Sequence, residues 1–158
     1  MHIDWLIIDG YSLLHRDDEF RTLLSRDLFL AREAALRHVE SLIGTLAGRV
    51  TVVFDGRSGQ AESGNERPGL EVVYSPGHMT ADSHIERMVQ EAAHPECILV
   101  VTSDRLERVT VMAAGAQCMS CGEFLSWSRA GADRLRKRIK RMPGPASHGG
   151  TLGDYFPD

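Results

Sequence analysis

Three aspartates of the chain stand where carboxylates could gather around a cation. Each follows a short apolar run within a few residues, and the three are Asp9, Asp55 and Asp104. In an open parallel sheet the carboxyl ends of the strands lie along one edge, so residues that follow the strands converge there. Two carboxylates about 4 Å apart repel by about 4 kcal/mol at an effective dielectric of about 20, so such a cluster needs a proton or a cation. Oxygen ligands of this kind suit Mg²⁺ or Mn²⁺.

Two further acids fall on one face of an expected helix. Thr80 is a suitable N-cap residue, Asp82 lies in the first turn, and Glu86 follows Asp82 by four residues. The helix dipole favours acids near the N-terminus, which explains Asp82 without any function. The functional alternative is a helix that presents both carboxylates to the edge where the aspartates gather.

Each strand-end aspartate also has a purely structural explanation. Asp9 and Asp55 each precede a glycine, and Asp-Gly is a favoured turn pair. Asp104 and Glu107 have the spacing of a capping box, in which the aspartate accepts hydrogen bonds from the first amides of a helix. The hypothesis of a cation site therefore depends on the acids as a group.

The elements that would position these acids alternate between strand and helix. The expected strands cover residues 3–8, 50–54, 70–74, 97–102 and 116–119. The expected helices cover residues 27–46, 81–93, 105–113 and 123–142. Alternation with nearly continuous apolar strands is typical of a three-layer α/β/α fold, in which a mostly parallel sheet is flanked by helices.

The length and composition fit one domain followed by a short tail. The chain has 158 residues, of which 42% are hydrophobic and 25% charged, as in an ordinary globular protein. We assign residues 1–142 to the domain and the glycine-rich residues 143–158 to a flexible tail. Residues 57–69 are expected to form a mobile loop. No apolar run approaches the roughly 20 residues that span a bilayer, and the three cysteines form no even disulfide set, so we expect a cytoplasmic protein without membrane contact.

The charge of the chain is unevenly distributed. The formal net charge is −4, but residues 129–141 contain seven basic residues and one acid, a local charge of +6 that leaves −10 for the rest. An acidic body with a basic segment is compatible with nucleic-acid binding through one face. The plainer interpretation is a solvated basic face of a helix.

Several ordered motifs give the chain a resemblance to a known family. They are Asp9-Gly-Tyr-Ser-Leu-Leu-His15, Val53-Phe-Asp-Gly56, Val73-Tyr-Ser-Pro-Gly77 with Thr80-Ala-Asp82 and Ile85-Glu86, and Thr102-Ser-Asp-Arg105. From about residue 3 to 125 the chain resembles the YacP-like NYN domain family of the PIN-like nuclease superfamily. The resemblance implies a PIN-like, Rossmann-like fold and a Mg²⁺ or Mn²⁺ site. It also implies ribosome-associated endonucleolytic cleavage of mRNA, as in the best-understood bacterial relatives.

The resemblance also assigns roles to particular residues. The catalytic, metal-binding acids would be Asp9, Asp82 and Asp104, and the supporting residues would be Ser12, Asp55 and Glu86. The family usually has Asn where this chain has Ser12, whose hydroxyl donates and accepts but cannot make the paired contacts of an amide. The candidate RNA-binding residues follow Asp104 or lie in the last expected helix: Arg105, Arg134, Lys137, Arg138, Lys140 and Arg141.

Together with the acidic cluster, the resemblance implies an endoribonuclease that hydrolyses RNA phosphodiester bonds with Mg²⁺ or Mn²⁺. The first alternative is a PIN-like module that binds RNA or a ribosome without cutting. A second is phosphoryl transfer with Asp9 as nucleophile, although Tyr11 stands where haloacid-dehalogenase-like enzymes have their second aspartate. A dinucleotide site is disfavoured because no Gly-x-Gly-x-x-Gly follows the first strand. The RNA target and the oligomeric state stay open.

Overall fold

The computed structural model describes residues 2–46, 48–56 and 67–144. Its strands are β1 (Trp5–Asp9), β2 (Arg49–Phe54), β3 (Leu70–Tyr74), β4 (Ile98–Val101) and β5 (Gln117–Met119). Its helices are α1 (Gly10–Arg16), α2 (Asp18–Leu24), α3 (Leu28–Glu40), α4 (Ala81–Glu91), α5 (Arg105–Ala113), α6 (Cys121–Arg129) and α7 (Ala132–Arg141). A short 3-10 helix at Pro95–Cys97 leads into β4.

The five strands form one parallel sheet in the order β3-β2-β1-β4-β5. β1 is central and pairs with both β2 and β4, so that Trp5 lies opposite Arg49 on one side and Ile98 on the other. The chain builds outward from β1 to β3 and then returns to the other side of β1. An open α/β sheet has a crevice where the strand order reverses, outside the carboxyl ends of the strands. The ends of β1 and β4 flank that crevice.

Two apolar layers cover the sheet. Helices α1, α2, α3, α6 and α7 pack on one face, around side chains such as Leu6, Ile8 and Phe54. Helices α4 and α5 pack on the other face, around Ile7 and Val53. Complete burial of one such side chain contributes about 1.5–3 kcal/mol. These layers confirm the expected three-layer architecture, with the acids at the edge between them.

The ends of several expected elements differ from the structure. The helix expected over 27–46 ends at Glu40 and is followed by turns. The single helix expected over 123–142 is wrong, because the chain forms α6 and α7 there. Gly131 separates them with a φ of 121°, a conformation that costs glycine little and other residues much. In the described part of the chain, none of the helices combines the length and the hydrophobicity of a membrane span.

Helices α1 and α2 were not expected from the sequence. The Asp9-Gly10 pair suggested a turn, but Asp9 caps α1 by accepting a hydrogen bond from the Ser12 amide. Asp17 caps α2 in the same way through the Phe20 amide, 3.0 Å away. The flexible tail and mobile loop stay predictions, since residues 57–66 and 145–158 lie outside the described part of the chain.

Candidate metal centre

Asp9 ends β1, and its carboxylate is fixed at the crevice between β1 and β4. The residue is only 6% exposed. Its Oδ1 accepts a hydrogen bond from the Ser12 amide at 3.4 Å, and its Oδ2 accepts one from the Ser12 hydroxyl at 3.1 Å. Oδ2 also lies 3.2 Å from the hydroxyl of Thr102, the residue after β4. Both strands therefore hold the orientation of this carboxylate.

Glu107 brings a second buried carboxylate to Asp9. It lies on α5, is 1% exposed, and its Oε2 accepts a hydrogen bond from the Thr102 hydroxyl at 2.8 Å. That hydroxyl has one hydrogen and stands between two carboxylates, so it can donate to only one of them at a time. The other oxygen, Oε1, is buried and receives no hydrogen bond from any described residue. The pair therefore has fewer donors than its oxygens require.

Asp82, Asp104 and Glu107 form a compact group of acids beside this pair. One carboxylate oxygen from each lies within 4.8 Å of the others. Asp82 is in the first turn of α4, which Thr80 caps. Asp104 caps α5, and its Oδ1 accepts from the Leu106 amide at 2.9 Å and the Glu107 amide at 3.1 Å. The ends of two helices thus bring three carboxylates to the crevice.

The proton equilibria of these acids reflect their burial and mutual repulsion. Burial raises the pKa of Asp9 despite hydrogen bonds from its neighbours, and the charge of Asp82 adds to the rise. Burial, and then the nearby Asp9, raise the pKa of Glu107 to about 10. Burial and the charges of Asp82 and Asp104 raise the pKa of Glu86 as well. A cluster of this kind takes up either a proton or a cation near neutral pH.

The donor set fits a hard divalent cation. Every candidate ligand is a carboxylate oxygen, which Mg²⁺ and Mn²⁺ prefer. Ligands at about 2.1 Å from an ion are at most about 4.2 Å apart, a spacing that the compact group approaches. Within the described ranges, Asp9, Asp82, Asp104 and Glu107 form no salt bridge with an arginine or lysine. The buried Oε1 of Glu107, which has no donor in the described part of the chain, is the atom that a cation would satisfy best.

The acids expected from the sequence occupy different positions around this group. Asp82 and Asp104 belong to the compact group, whereas Asp9 lies outside it and is linked to it through Thr102 and Glu107. Glu86 lies near enough to Asp82 and Asp104 for their charges to act on it. Ser12 is half-buried, and its hydroxyl contacts Asp9, Thr102 and the amide of Ser103. Asp55 follows β2 and lies outside the compact group.

The basic residues expected to bind RNA do not form one patch beside the acids. Arg105 is exposed directly after Asp104, and four of the candidate residues of α7 are exposed: Arg134, Lys137, Lys140 and Arg141. Arg138 is paired with Glu123 of α6, with its Nε 2.6 Å from the carboxylate. Lys140 lines a hollow with Ile3 and Leu46, near the start of β1 and away from Asp9.

Glu107 is the member of the site that the sequence alone does not identify. Its residue type and its position three residues after Asp104 predict only a capping box. Asp104 does cap the helix, but the carboxylate of Glu107 points to Asp9 and Thr102. An acid one helical turn after a strand-end aspartate shares its face, and this is the signal that could have identified it.

Comparisons with known proteins agree with this architecture. The family model described as the YacP-like NYN domain matches residues 6–150. A crystal structure of Rae1 (YacP) from Bacillus subtilis is similar, with a TM-score of 0.70 and 27% identity over 89% of this chain and 79% of that chain. A structure of a tryptophan-to-leucine mutant of Rae1 gives a TM-score of 0.67 and 26% identity over 88% of this chain and 80% of that chain. A comparison with curated protein sequences gives no match.

Proposed function

The chain belongs to the YacP-like NYN domain family, whose domains are nuclease-like, and we propose that it is a metal-dependent endoribonuclease. The observation that carries the proposal is the compact group of Asp82, Asp104 and Glu107 beside the buried Asp9, in which one buried oxygen of Glu107 has no donor among the described residues. Carboxylates without compensating charge are costly at a buried site unless a proton or cation offsets them. A site for a divalent cation at the crevice of an α/β sheet suits phosphodiester hydrolysis.

The roles of the acids in this proposal follow from their positions. Asp82, Asp104 and Glu107 would hold Mg²⁺ or Mn²⁺, together with Asp9 directly or through water. When bound, the cation would polarise the scissile phosphate and lower the pKa of a bound water. Asp9 stays oriented through its bonds to Ser12 and Thr102. The products would carry 5′-phosphate and 3′-hydroxyl ends.

The supporting residues act around this centre. Glu86, whose pKa is raised by burial and by Asp82 and Asp104, would hold a water or a second ion. Asp55 would orient water from the end of β2. Ser12 would contact the phosphate or keep Asp9 in place. The second role is supported by the hydrogen bonds from the Ser12 amide and hydroxyl to Asp9.

The RNA is proposed to bind along exposed basic residues. Arg105 is next to Asp104, and Arg134, Lys137 and Arg141 provide charge on α7. Arg138, which is paired with Glu123, and Lys140, which lies beside Ile3 and Leu46, are also proposed to contact RNA phosphates. Phosphate contacts of this kind predict an affinity that falls steeply with salt, because bound counterions are released. We further propose that the protein acts in the cytoplasm on mRNA, in association with a ribosome.

The proposal is tested by metal-dependent cleavage of a labelled single-stranded RNA. The wild-type protein should cut with Mn²⁺ or Mg²⁺ and stop when EDTA is added. Asp104→Asn should lose cleavage while keeping its fold, because an asparagine oxygen still caps α5. Asp27→Asn is the matched control, since Asp27 caps α3 through the Phe29 amide and lies outside the acid cluster.

Three results would contradict the proposal. Binding of RNA without any cleavage by the wild type would favour a non-cleaving module. Cleavage that persists in EDTA or in Asp104→Asn would exclude the metal centre. A trapped phospho-aspartate at Asp9 would instead indicate phosphoryl transfer.

A further inference from the structure

Three aromatic rings lie at the same sheet edge as the acids, toward β2 and β3. Tyr11 meets Phe54 edge to face, with ring centroids 5.5 Å apart, and Phe54 lies 5.8 Å from Tyr74. Phe54 is fully buried, whereas the two tyrosines are partly exposed. The buried ring therefore supports two others that reach the surface.

A buried arginine packs against two rings of this aromatic group. Arg32 of α3 is 6% exposed, and its guanidinium lies 5.7 Å from the centre of the Phe54 ring and 5.6 Å from that of Tyr74. It also lies within 3.4 Å of the Tyr74 hydroxyl. A guanidinium over aromatic rings is attracted by their π-electrons, and this contact helps to fix the Tyr74 ring.

The aromatic group is tied closely to the acid cluster. Tyr11 is two residues after Asp9, in the first turn of α1. Gly10, between them, packs so tightly on Phe54 that an added Cβ would lie 2.3 Å from its ring. Phe54 and Tyr74 are opposite each other at the ends of β2 and β3. With strands about 4.8 Å apart, β3 ends about 10 Å from β1, the length of roughly three stacked nucleotides.

We propose that Tyr11 and Tyr74 form a stacking subsite for the bases of single-stranded RNA that leads into the acid cluster. This inference rests on the proposed function and adds the part of the substrate that is recognised. Tyrosine faces stack on any base, so the subsite would bind unpaired RNA with little sequence preference. Paired bases are already stacked and cannot lie on these rings, which selects single strands.

The test separates base stacking from phosphate binding and from cleavage. In EDTA, binding of a short labelled single-stranded RNA is compared with binding of a stable abasic ribose-phosphate strand of equal length and charge. The wild type should bind the RNA roughly tenfold or more tightly than the abasic strand. Tyr11→Leu with Tyr74→Leu should remove that preference, whereas Tyr11→Phe with Tyr74→Phe, which keeps both rings, should retain it.

The possible outcomes distinguish failure of the stacking subsite from failure of the nuclease proposal. If the leucine variant keeps the preference for RNA over the abasic strand, the subsite is overturned, while Asp104-dependent cleavage can still stand. If the preference depends on the rings but no protein cleaves, the subsite stands and the nuclease proposal fails. Should the leucine variant not fold, photo-crosslinking of 4-thiouridine RNA to the wild type decides instead. Adducts on Tyr11 or Tyr74 support the subsite, and adducts only elsewhere overturn it.

Discussion

Asp9 and Asp17 have the same residue type, the same exposure and the same local role, yet their carboxylates differ in their proton equilibria. Both are 6% exposed, and each caps the helix that follows it, α1 or α2. The pKa of Asp9 is raised and that of Asp17 is lowered. The difference must come from the neighbours that the fold brings to each of them.

Asp17 lies among groups that stabilise its charge. Burial alone would raise its pKa, but the guanidinium of Arg129, 2.6 Å away, and the Phe20 amide outweigh that effect. At Asp9, burial outweighs the hydrogen bonds from Glu107 and Ser12 that lower its pKa, and the charge of Asp82 adds to the rise. A buried aspartate therefore indicates structure when a neighbouring cation compensates its charge, and a ligand site when the fold supplies no such cation.

Replacement of each aspartate by asparagine tests this contrast with the largest expected effect. Asp9→Asn should reduce RNA cleavage at least about 100-fold, since even outer-shell partners of a metal cost about 10–100-fold. It should keep or slightly raise the free energy of unfolding without metal, because an amide can donate to Glu107. Asp17→Asn should leave cleavage unchanged and cost about 1–2 kcal/mol of stability, a range reduced because Arg129 is half-exposed.

The measurements are single-turnover cleavage with Mn²⁺ and urea unfolding in EDTA. Both variants keep an oxygen that can cap a helix, so loss of the cap does not confuse the comparison. The contrast fails if Asp9→Asn cuts at the wild-type rate or if Asp17→Asn is the variant that loses cleavage.

The sequence predicted the acids at strand ends well and their partners poorly. Asp9 and Asp104 follow apolar runs, and the parallel topology alone brings such positions together. Glu107 is missed because its spacing from Asp104 also fits a capping box, and only the fold determines that its carboxylate faces Asp9 and Thr102. The pairing of Asp17 with Arg129 joins residues far apart in the chain, which no local pattern encodes. Helices α1 and α2 are short, so hydrophobic periodicity gave little signal for them.

Glu107→Gln sharpens the contrast through the pH dependence of stability. The pKa of Glu107 is about 10 in the fold and near 4.5 in the unfolded chain, so the folded state binds the extra proton between these values. The stability that comes from this tighter proton binding is fully present below about pH 4.5 and is lost as the pH rises toward 10. The metal-free wild type should therefore lose stability from pH 7 to pH 9 by more than the glutamine variant. Urea unfolding in EDTA at the two pH values measures this difference.

The same variant has a metal-dependent control. Mg²⁺ should stabilise the wild type at pH 9 by offsetting the carboxylates, and should stabilise Glu107→Gln less, because a neutral amide is a weaker ligand. Equal pH slopes for the two proteins would mean that Glu107 is ionised in the metal-free fold, which would contradict its raised pKa.

The smallest expected effect on stability comes from His38, which lies near Asp17 and Arg129. Its Nε2 lies 2.7 Å from the Ser128 hydroxyl, and burial followed by the charge of Arg129 lowers its pKa below the usual 6.5. The unfolded chain therefore binds the proton more readily, so stability should rise with pH up to about 6.5 and fall below it. In His38→Gln this rise should be absent, a difference of about 1 kcal/mol or less between pH 5 and pH 7. The acid cluster lowers stability as the pH rises, which is opposite to the effect of His38. Subtracting the free energy of unfolding of the variant from that of the wild type at each pH therefore isolates the contribution of His38. A difference that falls with pH would show that the folded protein holds His38 protonated.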